Sequence, residues 1–148
     1  MYHNFFKVSK LTFYIIFGST IPFYINSQDR SKIDSLTRSV EGSHNQKDHI
    51  DGLIGLSLEY FDYDNQLSLE YADRAYLLAS QLGDSLQIVK SARIKGQLLR
   101  RLSRLDESID ILNEVCLIAK RNKFLHDYKR ILNGLAAAHT LKADYDKA

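Results

Sequence analysis

The spacing of apolar residues predicts helices along nearly the whole chain from Ile33 onward. Apolar side chains recur three and four positions apart, and no stretch alternates with the two-residue period of a half-buried strand. One such helical stripe consists of Ser68, Tyr71, Ala72, Ala75, Leu78, Ala79 and Leu82. The pattern therefore predicts an all-α fold.

The same pattern returns after forty residues. A second stripe with the same spacing consists of Ser108, Ile111, Leu112, Val115, Ile118 and Ala119. An offset of forty also pairs identical residues: Ile54 with Ile94, Leu58 with Leu98, Ser68 with Ser108, Leu77 with Leu117, and Ala79 with Ala119. Self-similarity at a fixed period indicates a repeat array, in which each unit covers the apolar face of its neighbour.

Each unit is predicted to be a pair of helices. In the first unit, Asp64 starts the second helix and Gly83 ends it. In the second unit, Ser103 is the predicted N-cap of the second helix, with Asp106 three residues later. In the third unit, Asp144 is predicted to begin the second helix.

The predicted array covers residues 48–148 and consists of units at about 49–88, 89–128 and 129–148. A leading helix and a polar linker are predicted over 28–47. The last unit is incomplete, and a unit without a neighbour cannot cover its apolar face. We therefore expect the chain to be a fragment of a longer protein.

Residues within the units resemble the tetratricopeptide repeat (TPR), which places a small residue and then a large one in the first helix. Gly96 and Leu99 match these two positions in the second unit, and Ala136 and His139 match them in the third. The first unit departs from the family, because Leu56 stands where a small residue is usual. The resemblance implies a right-handed superhelix of antiparallel helix hairpins, in which His139 is a partly buried packing residue.

The order of parts is also similar to the exported TPR sensor regions of bacterial membrane histidine kinases and related regulators. A leader is followed by a short helix around residues 33–36, a polar linker and long TPR units. In those proteins the array lies outside the cytoplasm, and a membrane helix and a signalling module follow it. The resemblance implies an extracytoplasmic sensing role.

Residues 1–27 have the composition of a secretory signal peptide. Lys7 and Lys10 give a basic start, residues 11–25 carry no charge, and Ser27 is a small residue suited to cleavage. The apolar run is shorter than the roughly 20 residues that a membrane-spanning helix needs. We expect export to the periplasmic or extracellular side of a bacterial membrane, with an uncleaved membrane anchor as the alternative.

Removal of this leader leaves a chain without net charge. Its two lysines account for the excess of 20 Lys and Arg over 18 Asp and Glu. A neutral domain gives no electrostatic reason to expect nucleic acid as a partner, and we expect contact with a membrane only through the leader or a missing downstream segment. The single cysteine, Cys116, excludes an intrachain disulfide and is expected to be a small apolar filler.

The first helices of a TPR array line its concave surface, where we expect a cluster of basic and amide side chains. The candidates are Lys90, Arg93, Gln97, Arg100, Arg101, Arg130 and Asn133, with Thr140 beside them. Arginines there could bind an acidic peptide or a C-terminal carboxylate through charge-assisted hydrogen bonds. Alternatively, they pair with the acidic first unit, which contains Glu59, Asp62, Asp64, Glu70 and Asp73.

The remaining candidates for chemistry have no supporting pattern. The histidines lack the spacing of metal ligands, and no glycine-rich loop follows a strand. Tyr60, Phe61 and Tyr63 could form an aromatic shelf for a ligand, or pack against the preceding helix. We expect no enzymatic activity, no metal and no cofactor.

The sequence therefore predicts a TPR scaffold that binds a protein or a peptide, as the sensing part of a longer signal-transduction protein. Two alternatives stay open: a freestanding periplasmic or secreted TPR scaffold, and the regulatory arm of a cytoplasmic DNA-binding regulator. The sequence identifies neither the ligand nor the oligomeric state.

Overall fold

The computed structural model describes residues 27–145 and 147, which form six α-helices and no strand. The helices are α1 (Ser27–Gly42), α2 (Gln46–Tyr60), α3 (Asn65–Leu82), α4 (Ser85–Arg101), α5 (Leu105–Arg121) and α6 (Leu125–Tyr145). The all-α repeat fold is confirmed. The predicted leader lies outside the described residues except for Ser27, and none of these six helices is long and apolar enough to cross a membrane.

Polar side chains cap the start of three of the six described helices. Asn45, Asp64 and Asp84 each accept a hydrogen bond from a backbone N–H in the first turn of the following helix. Gly83 ends α3 in the left-handed conformation, with φ of 68°. The predicted cap at Ser103 is wrong, because Ser103 has φ of 60° and lies in the turn before the N-cap, Arg104.

The helices form two layers. Consecutive helices pack as antiparallel neighbours, and α4 also contacts both α2 and α6. The other three helices, α1, α3 and α5, make no comparable contact with one another within the described part of the chain. Hence α2, α4 and α6 form the inner layer, on the side where a TPR array is concave, and α1, α3 and α5 form the outer layer.

A buried serine joins the two helices of each complete hairpin. In the first hairpin, Ser68 Oγ donates a hydrogen bond of 2.6 Å to the carbonyl of Ser57. In the second hairpin, Ser108 Oγ donates one of 2.7 Å to the carbonyl of Gly96. The two outer serines are forty residues apart, but their acceptors are 39 apart. Ser57, and not Leu56, is therefore the counterpart of Gly96, and the predicted departure of the first unit from the family is wrong.

The one-residue shift arises in the loops within the hairpins. Four residues, 61–64, join α2 to α3, whereas three, 102–104, join α4 to α5. The predicted pairing of Leu58 with Leu98 fails for this reason, since Leu58 is 51% exposed and Leu98 is fully buried. The second helices keep the predicted offset of forty, because α3 begins at Asn65 and α5 at Leu105.

The last described helix is longer than its counterpart in the second hairpin. Helix α6 continues through Asp144 to Tyr145, so that the predicted new helix at Asp144 is wrong for the described residues. In the second hairpin the corresponding turn is stabilised by α5, which folds back on α4. No described helix folds back on α6. The backbone of α6 therefore continues its helical hydrogen bonds past the position at which α4 ends.

Candidate functional site

A shallow pocket opens between the inner helices α4 and α6. Its volume is about 200 Å³, and its lining is Gln97, Arg100, Arg130, Asn133, Gly134 and Ala137. Four of the seven predicted site residues are thus brought together: Gln97, Arg100, Arg130 and Asn133. Gly134 and Ala137 also line the pocket but were not predicted. The only feature in the sequence that could have indicated them is that both are small residues on the same face of α6 as Arg130.

Small residues on α6 form the floor of this pocket. A Cβ atom at Gly134 would lie 3.1 Å from Leu112 Cδ1, so that the backbone of α6 lies close to the second hairpin. The longer side chains of Arg130 and Asn133 extend from the neighbouring turn, and both are exposed. The pocket therefore combines a low apolar floor with a polar rim.

The rim carries positive charge and one unused hydrogen-bond donor. Arg100 is half-buried, and its Nε atom is buried without a hydrogen-bond partner among the described residues. A buried donor without a partner costs about 1–3 kcal/mol, so that the Nε atom of Arg100 is held here at an energetic cost. Arg100 and Arg130 together can bind an acceptor with negative charge, such as a carboxylate.

Arg93 lies two turns before Arg100 on α4 and binds another residue of the protein. Its Nε donates a hydrogen bond of 3.1 Å to Asp127 Oδ1, and both side chains are buried. Burial lowers the pKa of Arg93, and the nearby positive charge of Arg130 lowers it further, whereas Asp127 opposes the shift. Asp127 thus balances the charge of Arg93 and joins α4 to α6, whereas Arg100 and Arg130 line the pocket.

Arg101 also binds within the protein. Its guanidinium donates hydrogen bonds to the carbonyl of Phe61 (2.6 Å) and to Asp62 Oδ1 (2.9 Å), and stacks on the Phe61 ring at 4.1 Å. These contacts hold the end of α4 against the loop between α2 and α3. Arg101 is therefore not part of the pocket lining. It pairs instead with Asp62 of the acidic first unit, as the alternative interpretation of the basic cluster predicted.

The remaining candidates on the inner face do not line the pocket. Lys90 is half-buried one turn before Arg93. Thr140 Oγ1 donates a hydrogen bond of 3.0 Å to the carbonyl of Ala136 in its own helix. A further basic residue of α4, Lys95, forms an ion pair of 2.9 Å with Asp73 of the acidic first unit.

The aromatic residues at the end of α2 pack within the protein. The ring of Tyr60 stacks on Tyr71 at 5.7 Å, and Tyr63 donates a hydrogen bond of 2.5 Å to Asp29 of α1. Burial raises the pKa of Tyr60, and the hydrogen bond to Asp29 raises that of Tyr63. Within residues 27–145 and 147, no group of three or more metal-ligating side chains is close enough to hold a metal ion.

Comparison with protein families assigns the array. The model of the SusR N-terminal TPR domain matches residues 22–147. The chain belongs to this TPR family. TPR domains are non-catalytic repeat scaffolds that bind proteins or peptides, and those of the SusR type come from bacterial envelope proteins. No curated protein matches the chain.

Proposed function

We propose that this TPR domain is the extracytoplasmic sensing part of a longer signal-transduction protein, and that it binds an acidic peptide segment between α4 and α6. The observation that carries the binding site is the pocket between Arg100 and Arg130. Both side chains are cationic, and they reach the pocket from opposite walls, Arg100 on α4 and Arg130 on α6.

The composition of the pocket favours a peptide over a simple anion. Gln97 and Asn133 supply amide groups that can pair with a peptide backbone, and Gly134 and Ala137 leave room for the chain to lie on α6. The arginines would then select a carboxylate side chain at one position.

Two observations support the sensing role. The matching family is described as the N-terminal domain of SusR, and a domain with that description is followed by further sequence in that protein. Residues 1–27 have a basic start and an uncharged run, as in an export signal.

The binding site can be tested with a fluorescein-labelled hexapeptide of alternating aspartate and glutamate. Fluorescence anisotropy with the full chain is expected to give saturable binding. The double variant Arg100→Gln/Arg130→Gln is expected to weaken it at least about tenfold, since each charge-assisted hydrogen bond contributes about 1.5–3 kcal/mol.

The matched control is Lys120→Gln/Arg121→Gln, which removes two exposed cations from the last turn of α5. It loses the same charge, so that non-specific attraction would fall equally in both double variants. Equal affinities of the two variants, or no saturable binding by the unaltered chain, would contradict the proposed site.

Export has a separate test. The mature protein, recovered from cells by fractionation, is expected in the envelope fraction with an N-terminus near Gln28. Recovery from the cytoplasm with Met1 retained would contradict the extracytoplasmic role and leave the binding site unaffected.

A further inference from the structure

A second cavity lies on the first hairpin, far in sequence from the α4–α6 pocket. Its volume is about 370 Å³, which is within the range of small-molecule sites. The lining comes from the α1–α2 linker, the first turn of α2 and the last turns of α3, and consists of Ser43, His44, Gln46, His49, Leu78, Gln81 and Leu82. We call it the α2–α3 cavity.

The hydrogen bond of His49 determines what its ring can offer. Nδ1 of His49 lies 3.0 Å from the carbonyl oxygen of Val40. A carbonyl can only accept, so that Nδ1 carries the proton of this bond. In the neutral imidazole, Nε2 is then left as an acceptor without a partner among the described residues. Because His49 lines the α2–α3 cavity, Nε2 is the ring nitrogen that this tautomer leaves for a ligand there.

The other polar groups of the lining are uncharged amides, a hydroxyl and a second imidazole. Ser43 Oγ donates to the carbonyl of Asn45 at 2.7 Å, so that its lone pairs are left to accept. Gln46 and Gln81 each have an amide that can donate and accept. None of the seven lining residues is Lys, Arg, Asp or Glu. Side-chain charge therefore selects neither an anion nor a cation here.

The two helix ends at this cavity carry partial charges of opposite sign. The N-terminus of α2 contributes the positive end of one helix dipole, and the C-terminus of α3 contributes the negative end of another. The remaining wall is apolar, because it is formed by the side chains of Leu78 and Leu82. Leu78 packs against the core, whereas Leu82 is 43% exposed. The combined surface is complementary to a neutral molecule with one apolar part.

The second hairpin uses the corresponding positions differently. Counted from the N-caps Asn45 and Asp84, His49 corresponds to Ile88. The partner position on the second helix is Leu78 in the first hairpin and Ile118 in the second, and both Ile88 and Ile118 pack against the core. The second hairpin thus has two aliphatic side chains at these positions. The first hairpin has one, Leu78, together with the imidazole of His49, which is hydrogen-bonded to the backbone of α1.

We propose that the α2–α3 cavity binds a neutral small molecule that carries an aliphatic group and at least one N–H or O–H donor. The donor pairs with Nε2 of His49, and the aliphatic group lies against Leu78 and Leu82. This site is independent of the peptide site on α4 and α6.

N-acetyl-L-leucinamide is a suitable probe, because it is neutral, has amide donors and carries an isobutyl group. Titration of the full chain, followed by NMR chemical shifts, is expected to give saturable shifts of the His49 ring and of the Leu78 and Leu82 methyl groups. The matched anion, N-acetyl-L-leucine, is expected to bind at least about fivefold more weakly.

The variant His49→Ile introduces the residue of the second hairpin and is expected to lower the affinity for the probe at least about tenfold. The control is His139→Ile, which makes the same change at an exposed histidine of α6 and is expected to leave the affinity unchanged. If circular dichroism shows that His49→Ile is unfolded, Leu82→Glu replaces it, since this partly exposed position accepts a charge without burying it.

Three results would overturn the proposal. The first is the absence of saturable shifts at His49, Leu78 and Leu82. The second is unchanged affinity in His49→Ile or, if that variant is unfolded, in Leu82→Glu. The third is binding of N-acetyl-L-leucine as tight as that of the amide, which would overturn the selection of a neutral molecule.

Discussion

Helices α4 and α6 occupy the same layer and begin forty residues apart, but they are buried to different extents. Both bury the face that packs on the preceding hairpin, formed by Gln87, Ser91, Ile94 and Leu98 in α4 and by Asp127, Ile131, Gly134 and Ala138 in α6. Their opposite faces differ. Val89, Ala92, Gly96 and Leu99 are buried in α4, whereas Lys129, Leu132, Ala136 and His139 are exposed in α6.

The difference shows that a position in the repeat does not by itself determine burial. The opposite face of α4 receives α5, which places Leu112 directly over Gly96. The same face of α6 receives no helix among the described residues. His139 holds the position of Leu99 and is exposed, so that the predicted partial burial of His139 is wrong.

The largest expected effect comes from truncating the same position in both helices. Leu99→Ala removes a side chain that is 2% exposed and is expected to lower the free energy of unfolding by about 2–5 kcal/mol. His139→Ala is expected to change it by less than about 0.5 kcal/mol. Urea denaturation of both variants measures the difference. Similar losses would mean that α6 is covered on this face in solution.

The second prediction concerns the face that both helices bury. Asp127→Asn leaves Arg93 without its carboxylate in a buried position and is expected to cost about 2–3 kcal/mol, below the usual loss for a fully buried pair because some exposure remains. The control is Asp110→Asn at an exposed position of α5. A loss no larger than that of the control would show that the ion pair does not hold α6 on α4.

The third prediction separates the two glycines that face Leu112. A Cβ at position 96 would lie 2.6 Å from both Leu112 Cγ and Cδ2, whereas at position 134 it would lie 3.1 Å from Cδ1 alone. Gly96→Ala is expected to lower the free energy of unfolding by about 1–2 kcal/mol through overpacking. Gly134→Ala is expected to stay within about 0.5 kcal/mol, since alanine's higher helix propensity offsets mild crowding. Thermal unfolding of both variants measures the order, and the reverse order would contradict the packing described for Leu112.

The smallest expected effect lies on the exposed face of α6. Leu132 is 42% exposed, and Leu132→Gln is expected to change stability by less than about 0.5 kcal/mol. Sedimentation velocity of the same variant gives a sharper result. If this face of α6 makes no contact with a second copy of the chain, the sedimentation coefficient is expected to be unchanged. A lower coefficient in the variant would show that a second copy binds to this face in the unaltered protein.

The fold could be predicted from the sequence because helical spacing and the repeat both leave direct marks in it. Ser68 and Ser108 predicted the second helices with the correct offset of forty. The first helices were misaligned by one residue, because the length of the α2–α3 loop cannot be obtained from an offset alone. Leu56 therefore took the small position that belongs to Ser57.

The candidate site was predicted only in part, since periodicity gives the face of a residue and not its partner. Gln97, Arg100, Arg130 and Asn133 do line one pocket. Arg93 and Arg101 have the same spacing on α4, but a buried aspartate and a loop carbonyl take up their hydrogen bonds. Such pairings depend on three-dimensional distances that a one-dimensional pattern does not contain.

Arg101 has a mechanical consequence for the first two hairpins. The short connection at Gly83 and Asp84 joins them covalently at one end, and Arg101 fastens the other end through Phe61 and Asp62. The two attachments lie at opposite ends of the helices from α2 to α5. Rotation of one hairpin against the other about the Gly83–Asp84 connection would therefore have to break the contacts of Arg101 with Phe61 and Asp62.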